Sequence, residues 1–531
     1  MHAADFKSSQ CSTGYEGNLC AMCDVKHGYG TVKPFTCKPC LRPAATIALY
    51  SAAALVMLVV VRILSALALA DFGPATTATP QARPMDVVKP LVLYMQYLFI
   101  ITSINSVPWP APITVVVQAL SFFWSSASAN SLGLDCVLPE DAAVPVAIQK
   151  TLFSLLMPVG ILCVLLLGDA LWSSWRFRRQ SRTRRASLLQ RHVSTRDRFI
   201  SLLLCISFLF LPTWLHATFA LFTCVTLDVA AAFPYQAEAV GAFFASDMSE
   251  QCYMAGGYHR VWALGLGVPL LLLFCLIVPV GLFVFLWLSK RHRKLDEDNF
   301  RKHFGFLYRT WRQDVCWWEA VSVCQTICLV LIGSFGHVLG VYYQTLVILA
   351  ALSIVCILLA LVRPHNSPVA GAVTLFSVWV LMATSYSALT FLPYRNAVPT
   401  YGYTMAMGVF VLVINVAFVL STLWRLLRLL QWGVVGRLLG RCFCCCSPSC
   451  SRPVGPCREF WRRASSLLSR LPHSAAVSGR AATAWGCCSF KSAAPPVESA
   501  SDLDGSVGKP HSRQKQQQPA VEGPSAVCEE C

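Results

Sequence analysis

VWALGLGVPLLLLFCLIVPVGLFVFLWLSKRHRK occupies residues 261–294. Residues 261–288 carry no charge, and KRHRK at 290–294 closes the run. Crossing the hydrocarbon of a bilayer takes about 20 apolar residues in a helix, so this stretch reads as a membrane span with a basic cap. Eight more runs of the same kind lie near 44–61, 87–106, 146–172, 199–226, 315–335, 338–361, 368–391 and 402–424. The runs are continuous rather than alternating, which excludes a transmembrane barrel. The chain of 531 residues is 56% hydrophobic and only 13% charged, about half the charged share of a soluble domain. The expected fold is therefore an all-α polytopic membrane protein of nine helices.

Basic residues give the direction. With the N-terminus outside, the inner connections hold Arg83, nine arginines between Arg176 and Arg198, eight Lys or Arg between Lys290 and Arg312, and Arg363. The outer connections, 107–145, 227–258, 336–337 and 392–401, hold only Arg395. This asymmetry is the positive-inside pattern. It accounts for the net charge of +17 through anionic lipid at the inner face. Nucleic acid is excluded as a partner, because no base-reading motif accompanies the charge. Arg62 ends the first run, where a guanidinium can snorkel to the headgroups, and Asp169 is expected to be solvated at the inner boundary. Short connections at 336–337, 362–367 and 392–401 make the last four spans antiparallel neighbours. ITVVVQALSFFW at 113–124 is too short to cross and is expected to lie in the interface or re-enter.

Residues 1–42 form a separate extracellular module, 43–432 the helical domain, and 433–531 a cytosolic tail rich in Ser, Pro, Cys and Arg, expected to be disordered. The module carries Cys11, Cys20, Cys23, Cys37 and Cys40, with glycines in GYEG and GYG between them. The two C-x2-C pairs could hold a zinc; Cys11 and the outside location favour an EGF-like disulfide loop with Cys11–Cys20 and Cys23–Cys37 pairs. Cys40 is then left for an upstream partner or an outer loop. Residues 1–10 lack the apolar core of a signal peptide, and the abrupt start of the module leads us to expect further chain before it. Cys224 and Cys252 flank one outer loop and are expected to bridge; Cys136 lies in another.

CSTGYEGNLCAMCDVKHGYG followed by FTCKPC resembles the last repeat of the ephrin-receptor-like ectodomains of large algal and protist membrane proteins. In those proteins the repeats run into a multi-span, TRP-like region. KPLVLYMQYLFIITS with VPWP at 107–110, LDCVLP at 134–139, LFTC at 221–224, FFASDMSEQC at 243–252, FGFLYRTWRQDVCWWE at 304–319 and VRPH at 362–365 resemble that region in order. His365 departs from the family's usual Tyr. The resemblance covers about residues 11–430 and implies a TRP-like surface protein of the plasma membrane. It would pass cations under control of its ectodomain. The alternative is a non-conducting receptor or adhesion protein. The late connections are too short for a re-entrant pore helix, so a conducting path would not follow a tetrameric channel filter.

Polar groups inside the runs are the candidate sites, because each is costly in lipid. Glu319 reads as an ion or proton site, or as half of an ion pair with Arg309, Arg312 or Lys89. Gln96, Gln325, Gln344 and Asn415 line a path or join helices. His216 sits beside Pro212. Asp247 and Glu250 make an acidic outer loop. In the tail, Cys442, Cys444, Cys445 and Cys446 suit palmitoylation, and Ser187 follows an arginine pair in the pattern of a kinase site. No nucleotide, metalloprotease or hydrolase motif is present, so neither enzyme chemistry, nor a bound metal, nor a cofactor is expected. The implied partners are lipid, cations and further copies of the chain.

Overall fold

The structure, a computed structural model, describes residues 11–33, 35–70, 83–102, 109, 113, 134–138, 144–179, 195–227, 240–392 and 401–445. The helices in these segments are α1 (Pro43–Ala70), α2 (Pro84–Thr102), α3 (Val146–Arg179), α4 (Thr195–Ala220), α5 (Tyr258–Arg291), α6 (Asp298–Tyr308), α7 (Trp318–Phe335), α8 (Val341–Val362), α9 (Pro368–Thr390) and α10 (Tyr401–Cys445). All but α6 are long and apolar enough to cross a membrane, nine among the described residues. Most of segment 113–124, Ser187, Cys446 and the tail beyond it lie outside the described residues, as do the side chains of Cys442, Cys444 and Cys445.

Proline marks several helix starts, where a missing N–H costs nothing: Pro43, Pro84 and Pro368 each open a helix. At α9 the Ser367 hydroxyl also accepts from the Ala370 N–H at 3.1 Å, a side-chain N-cap. Helix α5 contains two π-helical stretches, Ala263–Gly267 and Leu273–Ile277. Each is followed two residues later by proline, Pro269 and Pro279. A proline ring crowds the carbonyl four residues back, and a wider turn relieves that contact.

Helix α2 is the hub. It packs against α9, α7 and α1, while α8 pairs with α9 and α3 with α4. One buried cluster joins Tyr94, Tyr97 and Ile101 of α2 to Leu215, Leu329, Ile348 and Leu381. A second joins Met57, Val61 and Leu64 of α1 to Leu202, Cys205 and Leu209 of α4. Short α6 is amphipathic: Phe300, Phe304 and Leu307 pack with Tyr308 on Leu286, Leu295 and Cys316. Tyr308 donates to the Leu295 carbonyl at 2.8 Å, and burial pushes its phenol up to about 12.

Among the described residues three small sheets lie outside the helices: β1 (Tyr15–Glu16) with β2 (Met22–Cys23), β3 (Tyr29–Lys33) with β4 (Thr36–Pro39), and β5 (Cys224–Thr226), β6 (Ala242–Phe244) and β7 (Asp247–Gln251) in spatial order. All neighbours are antiparallel. Gly14 has φ 90°, and a Cβ there would meet the Tyr29 ring at 2.5 Å; only glycine fits that turn.

Three sequence boundaries are corrected. The first run does not stop at Arg62. Helix α1 continues to Ala70, because Arg62 makes two hydrogen bonds to Asp169 of α3, at 2.8 and 2.5 Å. Asp169 is therefore an ion-pair partner rather than a solvated end residue. The fourth run ends at Ala220, and Cys224–Thr226 leaves helix for strand, where β-branched Val225 and Thr226 are at home. The sixth run enters helix only at Trp318, where α7 begins after a short 3-10 turn at Gln313–Val315.

Candidate functional site

The stretch FGFLYRTWRQDVCWWE builds a buried polar cluster at the end of the bundle that carries the basic loops. Helix α6 stops at Tyr308, the chain turns at residues 309–310 with the Trp311 N–H bonded back to the Tyr308 carbonyl at 3.0 Å, and Trp311 forms an antiparallel bridge with His365 in the turn between α8 and α9. Two backbone bonds hold the turn in place: Arg312 N–H to the Pro364 carbonyl at 2.7 Å and Asn366 N–H to the Thr310 carbonyl at 2.9 Å. The Trp311 indole thus lies over the first turn of α7. Its Nε1–H donates to Glu319 Oε2 at 2.8 Å. The same oxygen accepts from Lys89 Nζ of α2 at 2.6 Å. Lys89 also donates to the Phe306 carbonyl at 3.2 Å and lies 4.9 Å from the Phe306 ring centre and 5.8 Å from that of Trp311.

Both charges are almost wholly buried, with side-chain exposures of 3% and 6%. Two such charges persist in a dry interior only when paired and hydrogen-bonded, and this pair is both. Of the partners considered for Glu319, Lys89 is the one the fold selects; Arg312 instead pairs with Asp314 at 2.9 Å. The His365 ring packs on Trp311 at a tilt of 35°, with ring centres 4.7 Å apart. Burial, and then the Lys89 ammonium, push its imidazolium down to about 4.

The amides do structural work at points where backbone bonding fails. Pro212 in α4 has no N–H to offer the carbonyl of Phe208. Gln96 of α2 donates to that carbonyl at 3.3 Å and to the Leu209 carbonyl at 2.9 Å. Gln344 of α8 donates to the Ile332 and Gly333 carbonyls near the end of α7, at 2.9 and 3.1 Å. A Cβ on Gly336 would sit 2.5 Å from Gln344 Cγ, so glycine there admits this cap. Asn415 of α10 donates to Thr384 Oγ1 of α9 at 3.0 Å and accepts from the Tyr94 hydroxyl of α2. Gln325 lines the chamber beside Lys89 and His365. His216 faces away from the core on the exposed side of α4 and joins none of these groups.

At the opposite end the cysteine module is fixed to the bundle. The structure brings Cys11 to Cys20, Cys23 to Cys37 and Cys224 to Cys252 as disulfides. Cys40, left open by the spacing, pairs with Cys136, 96 residues away. Beside that bridge the Thr31 N–H donates to Asp135 Oδ2 at 3.1 Å, and Asp135 forms an ion pair with Lys150 in the first turns of α3. Asn18 of the module reaches the Met248 carbonyl of β7 at 3.3 Å. From β7 the chain leads into α5, and Asp247 accepts from the Tyr258 hydroxyl at 2.6 Å. Cys224, Cys252 and His259 lie close enough to suggest a metal. Yet the two sulfurs are bonded to each other, and His259 is fully used: its Nδ1 accepts from the Tyr253 N–H at 3.2 Å, and its Nε2 faces the Leu221 carbonyl at 3.0 Å.

No protein-family profile, curated protein or solved structure matches the chain.

Proposed function

We propose that the chain is a polytopic plasma-membrane protein, TRP-like in kind, with its cysteine module outside and its tail in the cytosol. Its module controls the state of the helical bundle, and the bundle passes cations in response. The observation that carries this reading is the weld at the module end. A covalent bond at Cys40–Cys136, a hydrogen bond at Thr31 and an ion pair at Asp135–Lys150 converge within two neighbouring residues of one outer loop. A force or ligand acting on the module is delivered to the start of α3, and through Asn18 to the strand before α5. The sidedness of Lys and Arg supports the orientation. Epitope tags at residue 5 and near residue 190 should report opposite compartments.

The second reading is a receptor without conduction. Among the described residues, each carboxylate within a candidate span has a partner: Asp86 accepts from the Arg83 N–H, Asp169 pairs with Arg62, Asp197 with His303 and Glu319 with Lys89. A cation would find no unpaired acid among them. Flux of monovalent and divalent cations into liposomes holding the purified chain separates the two readings. Flux that changes when Cys136→Ser cuts the weld supports the first. An absence of flux under all conditions, with binding at the module intact, establishes the second.

A further inference from the structure

We propose that the chamber beneath the Trp311–His365 contact is a water-binding site, whose small internal cluster joins His365 and Thr374 to the buried Lys89–Glu319 pair and exchanges with solution at the basic end of the bundle. The chamber has a volume of about 30 Å³, and its walls include Lys89, Tyr97, Trp311, Gln325, His365 and Thr374. A single water needs on the order of 10–15 Å³ on this measure, so the space suits about two.

Among the described residues, three buried wall atoms make no hydrogen bond to protein: both ring nitrogens of His365 and Thr374 Oγ1. Buried polar atoms in native folds are almost always satisfied, and several orphans around one cavity point to a bound molecule. With its imidazolium held down to about 4, the His365 ring is neutral near pH 7; one nitrogen donates and the other accepts. A threonine hydroxyl can do either. Only a molecule that both donates and accepts meets all three atoms. The charge balance narrows the choice further, because Lys89 opposes a cation and Glu319 an anion. Water fits the size, the neutrality and the double role. This inference holds whether or not the bundle conducts.

The test is the reactivity of a thiol placed on the chamber wall of the full-length protein. Thr374→Cys is treated with hydrogen peroxide, a reagent little larger than water, and oxidation of the thiol is followed by peptide mass. Native Cys205, fully buried in the α1–α4 cluster, serves as the dry internal reference. A hydrated chamber makes Cys at 374 react at least about tenfold faster than Cys205, since a thiol must ionise in water to react. Equal rates at the two positions overturn the proposal. If Thr374→Cys fails to yield a folded protein by gel filtration, Ser377→Cys, on the same wall, is held to the same criterion. Adding His365→Phe and Thr374→Val to Ser377→Cys should slow its oxidation by about the same factor. An unchanged rate would mean that these two residues do not hold the water.

Discussion

Helices α2 and α5 stand at opposite extremes of one bundle. Of the most apolar stretch of α2, 72% is buried; for α5 the share is 11%. Yet α2 is the least apolar of the nine and α5 among the most. In a water-soluble fold the ranking would run the other way, because burial there is driven by removing apolar surface from water. Here Lys89, Tyr94, Gln96 and Tyr97 point into the protein, while Leu272, Leu276, Ile277 and Val280 point out. That inversion is what a hydrocarbon solvent demands. Polar groups must find partners among themselves, and apolar side chains gain little by leaving lipid for protein.

The contrast is tested most severely at Lys89. Lys89→Met leaves Glu319 buried with only the Trp311 indole for company. We expect a loss of about 3–5 kcal/mol, read as a fall in unfolding midpoint in detergent. Adding Glu319→Gln should recover much of that loss, because the uncompensated charge is gone. If the single variant is no less stable than the double, the pair is not buried as described. Next in size is packing. Ile101→Ala removes a side chain with 1% exposure from the α2 core and should cost about 3 kcal/mol through the cavity it leaves. A change near zero in the same unfolding assay would show that α2 does not occupy the centre.

How much of this was legible beforehand depended on the range of the interaction. Nine apolar runs follow from composition over about 20 residues, and each has its helix; α1 runs on where Arg62 meets Asp169, and the helices of the third and ninth runs, α3 and α10, run on past their apolar stretches to Arg179 and Cys445. Arg62 looks like a helix end until Asp169, 107 residues on, is placed opposite it. The Cys11–Cys20 and Cys23–Cys37 pairs are close in sequence, so spacing together with the expected outside location brings them into view. The partner of Cys40 lies beyond a whole span, and spacing cannot choose it. Glu319 stood out as a costly acid, and Lys89 was one of three bases at its depth. The Trp311–His365 bridge leaves almost no mark in the sequence. It depends on backbone pairing between a loop and a turn 54 residues apart, and the only sequence signal was a histidine beside Pro364.

Gln96 refines the comparison further, because it is polar, buried and on α2, yet carries no charge. Its amide spans to the two carbonyls of α4 near Pro212. Gln96→Leu keeps the volume and removes the bonds, and interhelical hydrogen bonds in lipid average below about 1 kcal/mol. We therefore expect a loss of about 1 kcal/mol in the same assay. The effect should largely vanish when Pro212→Ala restores a donor for the Phe208 carbonyl. Additive losses in the double variant would show that Gln96 acts elsewhere.

The smallest expected effect lies on α5. Ile277 is 58% exposed on that helix, and Ile277→Ala should change the stability of the isolated chain by less than about 0.5 kcal/mol. The same chemistry costs several times more at Ile101, so the ratio of the two losses measures the inversion directly. The value also distinguishes what covers the outer face of α5. Lipid replaces the lost methylenes at little cost, so a null result at every protein concentration means that α5 faces hydrocarbon. A loss that appears only as concentration rises means that another copy of the chain packs there. In that case the 11% buried share describes one protomer rather than the assembled protein.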